Sequence, residues 1–196
     1  MCAPDPDKLV VLQQAIADIE SGKHSLHVDR RREETLAPIR KRALCLLDQR
    51  SRSRHELHER LLAAEFAPEH IEEVLDALER AGLVNDAHFA NEWVRQRASA
   101  RGKSPRALDM ELRKKGISAA TRADALAQIS PEDEEARARA VAEKKAREVK
   151  KPPLSRPEHD KYLRRIVGVL ARRGYAAELS LRIAREQLEA RIEEIS

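Results

Sequence analysis

One short pattern recurs three times in this chain and constrains the fold more than any other feature. The segments Leu61–Phe66, Leu112–Ile117 and Leu170–Tyr175 each begin with leucine and carry a bulky apolar residue at the sixth position. In the second and third segments two cations precede a glycine, which ends a helix in the left-handed conformation at low steric cost. A further apolar helical pattern follows each segment. We therefore expect tandem helical repeats that pack partly on one another.

The first copy departs from this pattern, because Glu65 stands where the other two copies have glycine. A non-glycine residue is costly in the left-handed conformation. We therefore expect the first turn to have a different shape.

The stretch Leu57–Arg97 has the strongest helical periodicity and is the predicted central core. A break at Pro68 separates its first two helices, and Gly82 ends the second. Phe89 and Trp93 give the third helix a large apolar face. The helical phase that Trp93 shares with Phe89 favours a core position over the alternative of a stacking platform for a nucleic-acid base.

Composition favours an all-α protein. Charged residues make up 37% of the chain, aromatic residues only 3%, and six glycines leave little material for hairpins. Residues 69–92 hold seven acidic residues and one basic, whereas residues 93–117 hold eight basic and two acidic. This alternation suits a charged partner better than a uniform surface would, although each segment alone could be a solvated helix face.

The predicted organisation has four parts. Residues 1–37 form an N-terminal extension with a short amphipathic helix at 8–19 and a polar linker at 21–35. Three helix-turn-helix-like repeats of three helices each follow at 38–84, 85–130 and 131–196 in an elongated array. The first helix of the first repeat is expected at Ile39–Gln49, with Ala43, Leu44 and Leu47 facing inward.

The two cysteines, and the absence of membrane-spanning and signal-peptide patterns, indicate where in the cell the protein is expected. Cys2 lies in a proline-containing tail and Cys45 on the expected apolar face of a helix, so a reducing cytoplasm is the simplest setting. The sequence has neither a run long enough to span a bilayer nor a signal-peptide pattern. We expect a cytoplasmic monomer without membrane contact.

Each partial catalytic or metal-binding motif in the sequence lacks a residue or a spacing that its chemistry requires. His55 and His58 are three residues apart rather than the four required by a zinc-protease helix, and Gly102-Lys103-Ser104 has no preceding strand or first glycine for a phosphate loop. His24 and His27 lack accompanying cysteine or carboxylate ligands. Ser53 and Glu56 instead have the spacing of a helix capping box. We therefore expect no enzyme activity, no metal and no cofactor.

Clustered cations are the candidate binding residues. Single pairs at helix ends are also explained by the helix dipole, but their recurrence across repeats, and a dense cluster around residues 95–106, favour a surface for anionic groups. The candidates are Arg50, Arg52, Arg95, Arg97, Arg101, Lys103, Arg106, Arg113, Lys114, Lys115, Arg164, Arg165, Arg172 and Arg173.

Several pieces, in order, resemble the RecX regulatory family over about residues 38–189. They are Ala43-Leu44 with Leu47, Arg50–Ser53, Glu56-Leu57, Gly82–Asp86, Phe89-Ala90, Trp93–Arg95, Glu111–Ile117 and Arg172–Tyr175. The resemblance implies a curved array of three-helix repeats. It also implies a bacterial protein that lies in the groove of the RecA recombinase filament on DNA and typically inhibits its ATP hydrolysis, strand exchange and coprotease activity, in recombinational repair and the SOS response.

Two function hypotheses follow. The first is a non-enzymatic regulator that binds the recombinase filament, with the cations facing acidic recombinase surface or DNA phosphates. The second is a helical module that binds single- or double-stranded DNA independently of a recombinase, with a steep salt dependence. The acidic residues at 69–79 and 133–135 favour the first.

Overall fold

The structure is a computed structural model that describes residues 30–196, and within this range it is wholly helical. It contains nine helices and no strand, which confirms the predicted all-α class. The predicted helix at 8–19 lies outside the described residues. The helices are α1 (30–49), α2 (Arg54–Leu62), α3 (Pro68–Arg80), α4 (Asp86–Arg101), α5 (Pro105–Lys114), α6 (Ala119–Leu126), α7 (Pro131–Ala146), α8 (Arg156–Arg172) and α9 (Ala177–Ile195).

The chain divides into two compact units. Within the described range, the first comprises residues 30–51 together with Leu57–Leu83, and the second comprises Arg52–Glu56 together with Val84–Ser196. Helix α2 therefore contributes its first residues to the second unit and the remainder to the first. None of the helices at 30–196 has the length and apolar character needed to cross a bilayer.

Helix α1 begins earlier than predicted, so the interpretation of residues 30–35 as linker was wrong. Charge pairing explains the difference: Arg30 contacts Glu34 one turn later at 3.3 Å, and Arg32 reaches Glu73 on α3 at 2.9 Å. Leu36 is buried and anchors the same turn to the core of the first unit. A charged run can thus be helical when its ends find partners.

The buried face of α1 also differs from the prediction. It consists of Leu36, Ile39, Ala43 and Leu46, which recur at helical spacing, whereas Leu44 is 41% exposed. Cys45 is likewise exposed rather than on the apolar face. The earlier start of the helix explains this, because Leu36 and Ile39 fix the phase that turns Leu44 outward.

The three repeated segments form the same turn. In each, the amide of the sixth residue donates to the carbonyl of the leading leucine: Phe66 to Leu61 at 3.4 Å, Ile117 to Leu112 at 3.2 Å, and Tyr175 to Leu170 at 3.3 Å. This six-to-one bond defines a Schellman helix end. The expected difference in the first copy was wrong, because Glu65 adopts a positive φ of 64° as the glycines do.

Two hydrophobic clusters organise the second unit. The α4–α6 cluster is built on Phe89, Val94, Leu108 and Leu112, and Trp93 packs against its edge. The α7–α9 cluster is built on apolar residues of α8 and α9, which pack against α7 through its buried alanines. Those alanines are Ala138, Ala142 and Ala146. Because they recur every four residues, they form a smooth stripe that allows close helix packing.

Side-chain caps fix most helix starts in the second unit. Asn85, Ser104, Ser118 and Ser130 each accept a hydrogen bond from the amide three residues later. The hydroxyl of Ser53 accepts from the Glu56 amide at 3.1 Å, which confirms the hydroxyl half of the predicted capping box. That hydroxyl also donates to the Lys115 carbonyl at 2.7 Å and so joins α2 to the end of α5.

Candidate functional site

Trp93 lies at the centre of the α4–α5 surface of the second unit. The guanidinium of Arg97 stacks over its ring at 3.6 Å from the centroid, and the Lys115 ammonium lies 5.1 Å from it. The indole Nε1 donates to Glu111 Oε2 at 3.0 Å, and the ring of Phe89 packs beside it at 5.4 Å. The ring is already occupied by neighbours, which supports the predicted packing role over base stacking.

Glu111 is the acceptor that gathers the cations around Trp93. Its carboxylate accepts a hydrogen bond from Lys103 and lies 3.5 Å from the Arg97 guanidinium. Burial, followed by the neighbouring charges of Arg97 and Arg101, lowers the pKa of Lys103. Burial, followed by Arg101, also lowers the pKa of Arg97. One carboxylate thus offsets a crowded cationic cluster, and its position explains why that cluster is compatible with folding.

Lys115 has a partner that the sequence pattern did not indicate. Its ammonium donates to Glu56, a residue 59 positions earlier at the start of α2. The Arg113-Lys114-Lys115 triplet therefore separates into two groups. Lys115 supports the contact of α5 with α2, whereas Arg113 and Lys114 are exposed and have no carboxylate partner among residues 30–196.

Arg173 also has a structural contact. Its Nε donates to the Arg101 carbonyl at the end of α4 at 3.1 Å. The neighbouring Tyr175 hydroxyl donates to the Gly102 carbonyl at 3.0 Å. The Ser104 amide donates to the Arg173 carbonyl at 3.0 Å. These bonds join the α8–α9 turn to the α4–α5 turn, and they satisfy carbonyls that a helix end leaves open.

A cleft between α7 and α8 is lined by a group of cations. Lys161, Arg164, Arg165 and Arg172 follow one face of α8 at helical spacing and line a cleft of about 460 Å³ with Lys145 of α7. Lys145 pairs with Glu148 at 2.6 Å. The four α8 cations have no carboxylate within ion-pair distance in the described part of the chain. Such an arrangement suits phosphate or carboxylate groups of a ligand.

Gly168 forms part of this cleft. A methyl group added there would come no closer than 3.4 Å to its nearest neighbour, Nη1 of Arg172. That distance is an ordinary contact with a flexible side chain, so packing does not require glycine. A glycine inside a helix costs about 1 kcal/mol relative to alanine. Its absence of a side chain leaves the backbone of α8 open to a ligand in the cleft.

The remaining candidates are dispersed. Arg95 pairs with Glu92 at 2.6 Å, and this hydrogen bond lowers the pKa of Glu92. Arg50 is exposed at the end of the first unit and donates to the Ser51 carbonyl at 2.9 Å. Arg52 is only 7% exposed, so most of its surface is unavailable to a partner. Arg101 and Arg106 are exposed and have no ion pair within residues 30–196.

Two acidic residues, Glu56 and Glu111, determine which of these cations are paired, and neither was predicted to do so from the sequence. The only signal for Glu111 was its position one helical turn before Lys115, a spacing typical of an ion pair on one helix. The structure instead connects Lys115 to Glu56 and Glu111 to Lys103. Among residues 30–196, no group of three or more histidine, cysteine or acidic side chains has the arrangement of a metal site.

Comparisons with known proteins agree with this architecture. Residues 40–78 match the domain described as "RecX, first three-helix domain", and residues 85–126 match "RecX, second three-helix domain". The chain is 55% identical to "Regulatory protein RecX" of Corynebacterium efficiens, over 96% of this chain and 91% of that protein. It is 43% identical to "Regulatory protein RecX" of Streptomyces coelicolor, over 76% of this chain and 77% of that protein.

A solved structure shows the same fold. The crystal structure of RecX from Lactobacillus salivarius superposes with a TM-score of 0.65 and covers 79% of this chain and 97% of that one. At 23% sequence identity this likeness supports the fold alone. The matched domains, the high identity to curated relatives and the shared fold together show that this chain belongs to the RecX family of regulatory proteins.

Proposed function

We propose that this chain binds the filament that the RecA recombinase forms on DNA and lowers its ATP hydrolysis, strand exchange and coprotease activity. It does so as a non-enzymatic, monomeric, cytoplasmic regulator in recombinational repair and the SOS response. Family membership supports the partner. The separation of the cations into paired and unpaired groups carries the proposal, because Arg106, Arg113, Lys114, Arg164, Arg165 and Arg172 are exposed on the second unit without an acidic partner within residues 30–196.

Self-repulsion among the exposed cations favours binding to an anionic surface. Exposed cations gathered on one helix face repel one another, and this cost is recovered when an anionic surface approaches. A recombinase filament on DNA offers both acidic side chains and phosphates. Contacts spread over many side chains would favour the assembled filament over a single subunit. We also propose three repeats at 38–84, 85–130 and 131–196 as the modules that present these contacts, with α1 extending before residue 38.

The test is the single-strand-DNA-dependent ATPase rate of the cognate recombinase during titration with this protein. We expect the rate to fall at well under one copy per recombinase subunit. The double variant Arg113→Glu/Lys114→Glu should require a higher concentration for the same effect. Lys115 is left unchanged, because a glutamate there would repel Glu56 and disturb the fold. An unchanged ATPase rate at saturating protein would contradict the proposal.

The α7–α8 cleft favours a second candidate, direct binding of DNA without a recombinase. Its four α8 cations have no acidic partner within residues 30–196, and together with the open backbone at Gly168 they would suit successive phosphates. This candidate predicts that the affinity for DNA falls steeply with salt, with a slope of about −0.7 per phosphate contact on single strands. An ATPase rate that drops only when the DNA itself is saturated would favour this candidate over filament binding.

A further inference from the structure

A groove of about 580 Å³ lies between α5 and the α8–α9 turn of the second unit. Its floor includes Met110, Val167 and Ala171, and Met110 is 54% exposed although it is a large apolar residue. Its rim is formed by cations of α5, of the end of α8 and of the loop that precedes α5. These cations are Lys103, Arg106, Lys114 and Arg172.

The groove walls are fixed before any ligand arrives. The Tyr175 hydroxyl is bonded to the Gly102 carbonyl, and the Ser104 amide to the Arg173 carbonyl, each at 3.0 Å. At Gly174, an added methyl group would lie 2.7 Å from the Ala107 Cβ, so the α8–α9 turn lies directly against α5. A preformed groove binds with little ordering cost.

The positive charge of the rim favours an anionic ligand. Lys103 is paired with Glu111. Arg106, Lys114 and Arg172 have no carboxylate within ion-pair distance in the described range 30–196. Three uncompensated cations around an apolar floor complement a ligand that combines acidic groups with one apolar group.

The floor favours a protein segment over a nucleic acid. Bases bind through stacking on exposed aromatic faces. Among residues 30–196, the only aromatic residue that lines this groove is Tyr175, which is 5% exposed and has its hydroxyl engaged. Methionine, in contrast, adapts its shape to varied aliphatic and aromatic side chains. The chemistry of the groove therefore matches a peptide rather than a polynucleotide.

We infer that this groove docks an acidic surface segment of the protein partner, with one apolar side chain seated on Met110 and flanking carboxylates on Arg106, Lys114 and Arg172. The identity of that partner as the recombinase rests on the proposed function. The expected composition of the docked segment does not rest on the proposed function, because it follows from the residues that line the groove.

The experiment uses the full chain and a short fluorescein-labelled peptide of glutamate and serine with one central leucine. A second peptide has serine in place of the leucine. Anisotropy should show tighter binding of the leucine peptide. Met110→Ser should weaken this binding about fivefold, since Met110 can bury roughly half of a methionine side chain. Leu154→Ser is the matched control, because Leu154 is 95% exposed, lies outside the groove and should leave the affinity unchanged.

Charge reversal tests the rim separately. Arg106→Glu/Lys114→Glu should weaken both peptides, and Lys150→Glu/Lys151→Glu, which changes the net charge equally at exposed positions outside the groove, should have a smaller effect. Equal affinity for the two peptides, or an unchanged affinity of Met110→Ser, would overturn the inference. The inference would also be overturned if an oligothymidylate bound more tightly than the leucine peptide and Met110→Ser did not change that affinity. The groove would then be assigned to nucleic acid.

The experiments distinguish a failure of the docking groove from a failure of the proposed binding to the recombinase filament. Leucine-dependent peptide binding without any binding to the recombinase filament would leave the docking groove in place and reject the recombinase as its partner. Filament binding that Met110→Ser leaves unchanged, together with equal affinity for the two peptides, would retain the proposed function and reject the groove.

Discussion

The α4–α6 and α7–α9 bundles of the second unit carry the same turn but use their cations differently. Both have a cationic helix end, a positive-φ glycine and a six-to-one hydrogen bond to the leading leucine. In the first bundle, Glu111 and Glu56 pair with Lys103 and Lys115 around Trp93. In the second, the cations of α8 have no acidic partner in the described part of the chain. The same backbone geometry at a turn therefore does not determine whether the cations beside it pair with carboxylates of the protein.

The cations paired around Trp93 in the first bundle are expected to contribute to folding, and the α8 cations of the second bundle are expected to contribute to binding. A cation with a carboxylate neighbour contributes to the packing of helices, and its removal leaves a charge without compensation. A cation without one contributes little to stability and remains available to an external anion.

The largest effect is expected at the shared turns. Gly174→Ala would place a methyl group 2.7 Å from Ala107 Cβ at a φ of 88°, and Gly116→Ala would place one 2.3 Å from His55 Cβ at a φ of 74°. Backbone strain and overpacking together should lower the free energy of unfolding by about 3 kcal/mol in each case. Urea denaturation would measure the loss.

Gly168→Ala is the control for those turns. It lies inside α8, and its added methyl group meets only Arg172 Nη1 at 3.4 Å. We expect a gain of about 1 kcal/mol from helix propensity. A loss of unfolding free energy similar to that of Gly174→Ala would contradict this explanation. It would show that replacing glycine destabilises the chain even without a positive φ or a close contact.

The next effect concerns Glu111, the carboxylate that contacts Lys103 and Arg97 beside Trp93 in the first bundle. Glu111→Gln should lower the free energy of unfolding by about 1–2 kcal/mol, because Lys103 and Arg97 lose their shared acceptor. Added salt should reduce this loss by screening the remaining repulsion. Urea denaturation at low and high salt checks both statements, and a loss independent of salt would contradict the electrostatic explanation.

A smaller, pH-dependent effect is expected at the carboxylate network of the second bundle. Hydrogen bonds from Arg182 and Arg139 lower the pKa of Glu135 from its ordinary 4.5 to about 2. Because the folded pKa is depressed, the charged form stabilises the fold above about pH 4.5, and this contribution is lost as the pH falls through 2. Glu135→Gln should therefore lower Tm at neutral pH.

The Tm difference between Glu135→Gln and the parent chain should shrink between pH 4.5 and 2. Thermal unfolding monitored by circular dichroism over this range is the measurement. Glu143→Gln is a suitable control, since within residues 30–196 that exposed carboxylate pairs only with Arg147, the residue that follows α7, at 2.5 Å. A Tm difference that stays constant with pH would contradict the assigned role of Glu135.

The smallest effect on stability is expected at the unpaired cations. Arg164→Glu/Arg165→Glu should change the free energy of unfolding by less than about 0.5 kcal/mol, because both side chains are exposed and neither has an acidic partner within residues 30–196. A large loss of stability would show that these cations support the fold and would remove the distinction between the two bundles.

The sequence predicts the periodic features of this fold well. The leucine-led turns, the cap by the Ser53 hydroxyl and the all-α class depend on local residue patterns, and the structure confirms them. The start of α1 and the exposure of Leu44 were mispredicted, because the charged run at 30–35 is stabilised partly by Glu73 on another helix. The partners of Lys115 and Arg173 were missed for the same reason, as Glu56 and Arg101 are distant in sequence.

The most direct test of the account is the affinity of the recombinase filament for two variants with equal changes in net charge. Arg164→Glu/Arg165→Glu removes unpaired cations from the α7–α8 cleft, and Lys150→Glu/Lys151→Glu removes exposed cations outside it. We predict at least a tenfold loss of affinity for the first variant and a much smaller loss for the second, with both proteins fully folded. Equal losses in the two variants would contradict the account, because binding would then depend on net charge alone.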